Sequence, residues 1–156
     1  MNIAPVWKRA IAFALDLLIE ISIYSLLIAF LNWILQLPIE YSFFEGRGIS
    51  VKMTEYVNSH FVELALIYLA AKLAVIVPYF VLAESSRWQA TIGKKIFGLK
   101  VGDVKGNRIA VGKAGLRLFG KWISGQILLL GYLMAFFTDR KRALHDFIAG
   151  TVVYEK

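Results

Sequence analysis

Three ionisable residues at helical spacing lie at the start of the first long apolar stretch of the chain or inside it. Arg9 immediately precedes the stretch, and Asp16 and Glu20 fall within residues 10–35. At about 100° per residue, offsets of seven and eleven from Arg9 are close to whole turns, so the three side chains share one helical stripe. An acid at the centre of a membrane helix costs roughly 2.5–3.5 kcal/mol, so such groups usually face a bundle interior or a water-filled cavity. The stripe is therefore the first candidate for a functional site.

The chemistry of each charged residue has two interpretations that the sequence leaves open. Asp16, about 10 Å below the interface at 1.5 Å per residue, is either a hydrogen-bond hub between helices or an acceptor for a cation or proton. Glu20 and Lys72 reach a similar depth of about 16 Å and either form a buried pair, or Lys72 competes with a transported cation for the acids. Arg9 either anchors the helix at lipid headgroups or forms an ion pair with Asp146 or Asp16.

The remaining sequence contains few groups for catalysis or metal binding. There is no cysteine, and the two histidines, His60 and His145, are too few for a site built from nitrogen and sulfur ligands. Gly93-Lys94-Lys95 lacks the hydroxyl residue of a Walker loop, so we interpret it as a turn into a strand. His145-Asp146 is interpreted as a structural cap, because a catalytic role needs a third partner. The sequence predicts neither an enzyme nor a cofactor.

Basic residues near the apolar segments are predicted to contact lipid. At the surface of a membrane, lysine and arginine side chains are attracted by anionic lipid headgroups. The residues predicted to make this contact are Lys94, Lys95, Arg117 and Lys121.

Composition indicates an integral membrane protein. The chain of 156 residues is 58% hydrophobic, with a mean hydropathy of +0.62. Residues 10–35, 61–82 and 118–137 approach or exceed the ~20 residues that cross about 30 Å of hydrocarbon. The first segment is too long for the core of a signal peptide and contains acids, so we expect it in the mature chain.

The distribution of charge predicts the orientation in the membrane. The net charge is +7, and residues 84–117 hold eight Lys or Arg against two acids, whereas residues 36–60 hold two against three. The positive-inside rule then makes the middle segment cytoplasmic and the first loop external. Because the positive charge is concentrated in this way, nucleic-acid binding is a poor alternative.

The predicted fold is an all-α membrane protein with a small cytoplasmic β-structure. Two long transmembrane helices, about 9–36 and 61–83 with a kink at Pro78, flank an external loop at 37–60. A third helical or re-entrant apolar element is predicted at 114–137, with a break between Gly125 and Gly131. A β-hairpin at about 96–112 and a C-terminal strand at 150–155 are expected to pair as a three-stranded piece. That pairing puts both termini in the cytoplasm; a single third span with an external C-terminus stays open.

Several motifs together resemble the RDD family of membrane proteins, nearly from end to end. They are Lys8-Arg9-Ala10 with Asp16, the segment from Ala90 to Val101, Arg117, and the segment from Ala143 to Val153. The family is named for one arginine and two aspartates, which map onto Arg9, Asp16 and Asp146. The resemblance implies a protein of a bacterial-type inner (plasma) membrane with a role in transport, and some members are described as sodium/proton antiporters.

Two classes of function follow from these observations. The first is a small transporter that exchanges a monovalent cation for a proton through Asp16 and Glu20, with Lys72 as a regulating charge. Because a chain of 156 residues makes a thin bundle, transport implies a homo-oligomer. The second is a non-transporting membrane scaffold or partner-binding subunit, whose buried charges only lock helix packing.

Overall fold

The computed structural model describes residues 2–35, 56–127 and 130–155. Most of them are helical, and three short strands form one sheet. The elements follow the chain in the order β1 Asn2–Ile3, α1 Val6–Leu35, α2 Phe61–Ser85, α3 Ile92–Ile96, β2 Leu99–Asp103, α4 Val111–Gln126, α5 Leu130–Phe137, α6 Leu144–Ile148 and β3 Thr151–Glu155.

The two longest helices, α1 and α2, are long and apolar enough to cross a membrane. Their residue ranges agree with the predicted helices to within a few residues. Many of their large apolar side chains are exposed, as at Leu26 and Trp33 of α1 and Phe61 of α2. Exposure of this kind fits a hydrocarbon environment, so the prediction of long apolar membrane helices is confirmed. The predicted external loop falls largely outside the described residues.

Helix α2 changes its winding at Pro78, where the sequence predicts a kink. The helix is regular from Phe61 to Ile76, becomes a π-helical turn over Val77–Leu82, and is regular again over Ala83–Ser85. Proline has no N–H to donate and its ring clashes with the preceding turn, so the wider turn relieves this conflict. The turn positions Tyr79 and Glu84 for the contacts described below.

The third apolar element is broken, as the sequence predicts. Helix α4 ends at Gln126, α5 begins at Leu130, and the two axes differ in direction by 105°. Gly131 is tightly packed at the start of α5, because a Cβ added there would lie 2.3 Å from Ser124 Oγ. A side chain at this position would therefore push the two helices apart.

The three-stranded sheet is confirmed, but one of its strands differs from the prediction. The order is β1-β3-β2 with antiparallel pairs, and the registers include Asn2 opposite Glu155 and Val101 opposite Val153. The prediction that residues 108–111 form the second arm of a hairpin is wrong, because residues 107–110 form no strand. The third strand of the sheet is instead the N-terminal strand β1, which pairs with β3.

Residues 107–110 do not pair with β2 because the edge of β2 opposite β3 is already hydrogen-bonded to Gln89. The Val101 N–H donates to the Gln89 carbonyl at 2.7 Å, and Gln89 Nε2 donates to the Val101 carbonyl at 3.3 Å. The Asp103 carboxylate also accepts the N–H groups of Lys105 and Asn107, each at 2.8 Å, and so tightens the turn. The chain therefore leaves the sheet after Asp103.

The chain divides into two compact units, residues 1–20 with 76–156 and residues 21–75. The first unit contains the sheet, α3 to α6 and a small core. That core consists of Ala4, Ala12, Val81, Leu99, Val101, Ile109, Ala114 and Val153. In the second unit, the Tyr24 hydroxyl donates to the Tyr68 carbonyl at 3.5 Å, and the Tyr68 hydroxyl donates to Asn32 at 3.4 Å.

Candidate functional site, a buried charge network

Glu84, at the end of α2, is surrounded by three cations in the first unit. Its Oε1 lies 2.6 Å from Lys94 Nζ and 3.0 Å from Lys121 Nζ, and its Oε2 lies 3.5 Å from Arg117 Nε. The Glu84 side chain is only 1% exposed. A buried carboxylate is unfavourable unless it is paired, and these contacts supply the pairing.

Asp146, in the first turn of α6, is the second buried acid. Its Oδ2 lies 2.5 Å from Arg9 Nη2 and accepts the Ala143 N–H at 3.1 Å, and its Oδ1 lies 2.9 Å from Arg117 Nη2. Burial alone would raise the pKa of Asp146, but the guanidinium groups of Arg117 and Arg9 hold that pKa well below its usual value. Asp146 is therefore ionised, and it caps its own helix as well as pairing with two arginines.

His145 lies beside Asp146 but stays neutral. Its Nε2 is 3.6 Å from Asp146 Oδ1, and its ring lies 5.3 Å from that of Tyr132, centroid to centroid. Burial lowers the pKa of His145 well below its usual value, and this outweighs the nearby carboxylate of Asp146. The imidazole therefore contributes no charge at neutral pH.

Arg117 belongs to both clusters and joins them into one continuous set of ion pairs, which we call the charge network. The network links five helices through residues on α1, α2, α3, α4 and α6. Its members are Arg9, Glu84, Lys94, Arg117, Lys121 and Asp146. Four cations face two carboxylates, so the network has a formal excess of two positive charges.

Asp16 is also fully buried but has neutral partners. Its carboxylate accepts hydrogen bonds from the Tyr79 hydroxyl at 2.7 Å, the Thr91 hydroxyl at 2.5 Å and the Gly93 N–H at 2.8 Å. The Gly93 N–H belongs to the first turn of α3, where backbone donors have no partner within the helix. A Cβ on Gly93 would lie 2.4 Å from the Ala12 carbonyl oxygen, so only glycine allows this close approach. Asp16 thus holds α1 against the start of α3.

A cavity of about 310 Å³ lies beside the charge network. The lining combines charged and apolar residues from α1 and from α3 to α6. Its charged and polar lining is Arg9, Lys94, Arg117, Lys121 and His145, and its apolar lining includes Val6, Ala10, Phe13, Leu133 and Phe136. Three buried polar atoms of these lining residues, Arg117 Nε, Arg117 Nη1 and His145 Nδ1, have no hydrogen-bond partner among the residues that the structure describes.

The residues of the predicted stripe are divided between different partners. Arg9 pairs with Asp146, one of the two partners expected from the sequence, and not with Asp16, which is bonded to neutral groups. Glu20 is buried on α1, and Lys72 lies on α2 within the second unit. The Glu20–Lys72 pair stays a prediction.

Lys94, Arg117 and Lys121, which the sequence predicts to contact lipid headgroups, are not exposed on the protein surface, and their contact with lipid stays a prediction. All three are buried, with side-chain exposures of 7%, 1% and 8%, because the carboxylate of Glu84 is itself buried and requires counter-charges. Lys95 is exposed as expected, and its Nζ lies 3.4 Å from the centroid of the Trp88 ring. Lipid contact at Lys95 stays a prediction.

Two residues at the centre of the site, Glu84 and Thr91, were missed by the sequence reasoning. Glu84 reads as the polar end of an apolar segment, and Thr91 as part of a turn. The sequence did contain a signal for Glu84, because this acid directly follows an apolar segment of membrane length and directly precedes a strongly basic segment. An acid in that position is available as a counter-ion for buried basic side chains. The hydroxyl of Thr91 carries no comparable signal.

The long apolar helices and buried charges define a small integral membrane protein. The chain belongs to the RDD family, whose model matches residues 3–150. It is 34% identical over 157 residues to "Uncharacterized protein YxaI" of Bacillus subtilis (strain 168), with 97% of each chain covered. It is 31% identical to "Uncharacterized membrane protein YteJ" of the same strain, with 98% of this chain and 82% of the relative covered. No solved structure matches significantly.

Proposed function

We propose that this protein is a non-transporting membrane scaffold, in which buried charges lock helices and sheet into a rigid platform. The observation that carries the proposal is the charge network, a continuous set of ion pairs that joins five helices. Both of its acids are committed to at least two cations each. A buried pair broken on one side leaves an uncompensated charge, so such a network resists rearrangement.

The environment of Asp16 also supports a scaffold. A transporting acid must give up its proton or its cation and be reached by water during the cycle. Asp16 has no exposed surface, and three neutral donors occupy its carboxylate. A carboxylate held in this way is suited to joining α1 to the first turn of α3.

Exchange of a monovalent cation for a proton is the second candidate. One observation favours it: Asp16 and Glu20 are both buried on α1, a helix long and apolar enough to span a membrane. In this alternative the two acids accept the cation and proton, and Lys72 regulates them by its charge. A homo-oligomer is required, since one thin bundle encloses little of a pathway.

Ion flux in proteoliposomes distinguishes the two candidates. The internal pH of vesicles that contain the wild-type protein is followed with a pH-sensitive dye after a sodium or potassium pulse. We expect this pH to change no more than it does in protein-free vesicles. The matched variant is Asp16→Asn, which removes the titratable charge. Its amide oxygen can still accept the hydrogen bonds from the Tyr79 hydroxyl and the Gly93 N–H. A cation-dependent pH change in the wild type that Asp16→Asn abolishes would overturn the scaffold in favour of exchange.

We further propose that both termini lie in the cytoplasm and that the membrane is the plasma membrane. Support comes from β1, which pairs with β3 and so holds the two ends of the chain together, and from the Lys8–Glu155 ion pair at 2.7 Å. The excess of basic residues in 84–117 then favours the cytoplasmic side. The absence of enzyme activity and of a cofactor stays a prediction.

A further inference from the structure

We propose that the cavity beside the charge network binds the anionic headgroup of a membrane phospholipid, with the adjoining glycerol and first acyl carbons against its apolar wall. This site goes beyond the scaffold function, because it assigns a ligand to the first unit. Three observations support it: the balance of basic and acidic groups, the unpartnered polar atoms and the largely apolar lining of the cavity.

The first observation is the excess of positive charge around the cavity. Arg9, Lys94, Arg117 and Lys121 line it, and the described ion pairs of these four side chains are with Glu84 and Asp146. Counting the carboxylate of Asp16 as well still leaves one basic group more than there are acids, since four basic side chains then face three acids. Buried charge is strongly unfavourable unless it is compensated, so an anion in the cavity completes the balance.

The second observation is that polar atoms of two lining residues have no partner among the described residues. Arg117 is 1% exposed, and neither its Nε nor its Nη1 makes a hydrogen bond, although Nε and Nη2 each lie within ion-pair distance of an acid. His145 is 3% exposed, and its Nδ1 is likewise without a hydrogen bond. Buried polar atoms are nearly always satisfied, and guanidinium groups bind phosphate oxygens particularly well. A phosphate in the cavity would supply acceptors for Arg117.

The third observation is the apolar wall, which distinguishes a lipid from a free anion. A volume of about 310 Å³ is at the lower end of the range for small-ligand sites, roughly 300–1,000 Å³. It suits a headgroup and a few carbons and not a whole lipid. Val6, Ala10 and Phe13 contribute to the wall from α1, which is apolar enough to lie in hydrocarbon. Basic pockets between membrane helices are known to hold anionic headgroups.

The test is binding of soluble short-chain lipids to the purified full-length protein in a neutral detergent. The probe is dihexanoyl phosphatidylglycerol, and the comparison probes are dihexanoyl phosphatidylcholine and inorganic phosphate. Binding is followed by the rise of the thermal unfolding midpoint during titration, since a ligand that binds the folded state stabilises it. We expect the unfolding midpoint to rise to saturation with phosphatidylglycerol. With either comparison probe, half of the maximal rise should require a concentration at least about tenfold higher than with phosphatidylglycerol.

The matched variants are Ala10→Leu and Ala14→Leu, which add the same three carbons one turn apart on α1. Both alanines are exposed, so both variants should fold, but only Ala10 contributes to the cavity lining. We expect Ala10→Leu to weaken phosphatidylglycerol binding by about tenfold and Ala14→Leu by less than about twofold.

Four results would overturn the inference. These are no saturable phosphatidylglycerol effect, equal affinity for inorganic phosphate, equal affinity for phosphatidylcholine, or equal effects of the two alanine variants. Equal affinity for phosphate would mean a site for a free anion, and equal affinity for phosphatidylcholine would mean recognition by the apolar wall alone. None of these readouts depends on ion flux.

Discussion

At the scale of single residues, Arg117 is the group on which both acids of the charge network depend. Its guanidinium lies 3.5 Å from Glu84 and 2.9 Å from Asp146, and its side chain is 1% exposed. Three nitrogens at fixed angles allow one side chain to face two carboxylates, whereas a lysine carries its charge on a single atom. Arg117 therefore joins what would otherwise be two separate clusters.

His145 and Asp146 make the stability of the folded protein sensitive to acid. The pKa of His145 is depressed in the folded protein, so below its ordinary value of 6.5 the unfolded chain binds a proton that the folded one does not. Stability then falls as the pH is lowered through 6.5, at up to about 1.4 kcal/mol per pH unit for one proton. The pKa of Asp146 is also depressed, so a second loss begins below its ordinary value of 3.8.

The corresponding measurement is the thermal unfolding midpoint between pH 8 and pH 5, in wild type and in His145→Gln. We expect the midpoint of the wild type to fall on acidification and that of the variant to fall less, because glutamine cannot bind the extra proton when unfolded. An identical pH dependence of the two proteins would show that His145 is not the source of the sensitivity.

At the scale of elements, the contact between α4 and α6 depends on a glycine. A Cβ on Gly120 would lie 2.8 Å from His145 Cα, whereas Gly115, one and a half turns earlier on α4, has open space. We expect Gly120→Ala to destabilise the protein by about 1–3 kcal/mol, since α6 would have to move. Gly115→Ala should instead stabilise it by about 0.5–1 kcal/mol through the higher helix propensity of alanine.

Thermal unfolding of the two alanine variants tests this expectation directly, because each adds the same methyl group to the same helix. The predicted result is a change of opposite sign at the two positions. Equal changes would mean that helix propensity alone decides the outcome and that the α4–α6 contact is loose.

The long helices could be predicted from sequence, but most of the site could not. Apolar length alone indicates α1 and α2, and proline and glycine mark the irregular turn near Pro78 and the break after α4. The edge pairing of β2 depends on Gln89 in a preceding turn, a contact with no periodic signal. The partners of Asp16 are 63 to 77 residues away in the chain, so the shared stripe with Arg9 indicates burial but not which groups meet.

At the scale of the whole molecule, we expect fusions of reporter proteins to give both termini the same cytoplasmic orientation. Green fluorescent protein fused after Lys156 should fluoresce in a bacterial host, and alkaline phosphatase at the same point should be inactive. As a control, alkaline phosphatase fused after Gly48, in the predicted external loop, should be active. Active alkaline phosphatase at Lys156 would contradict the proposed orientation.

The distance along the chain between the paired groups has a consequence for biosynthesis. Arg9 and its partner Asp146 are 137 residues apart, and β1 pairs with β3, the last strand of the described residues. At about 5–20 residues per second, a ribosome makes Asp146 roughly 7–27 s after Arg9. Arg9 is thus without its carboxylate partner for most of translation, whereas the partners of Asp16 follow it by 63 to 77 residues. The insertion machinery must keep this helix where water or other polar groups solvate it until the C-terminus emerges and closes the fold.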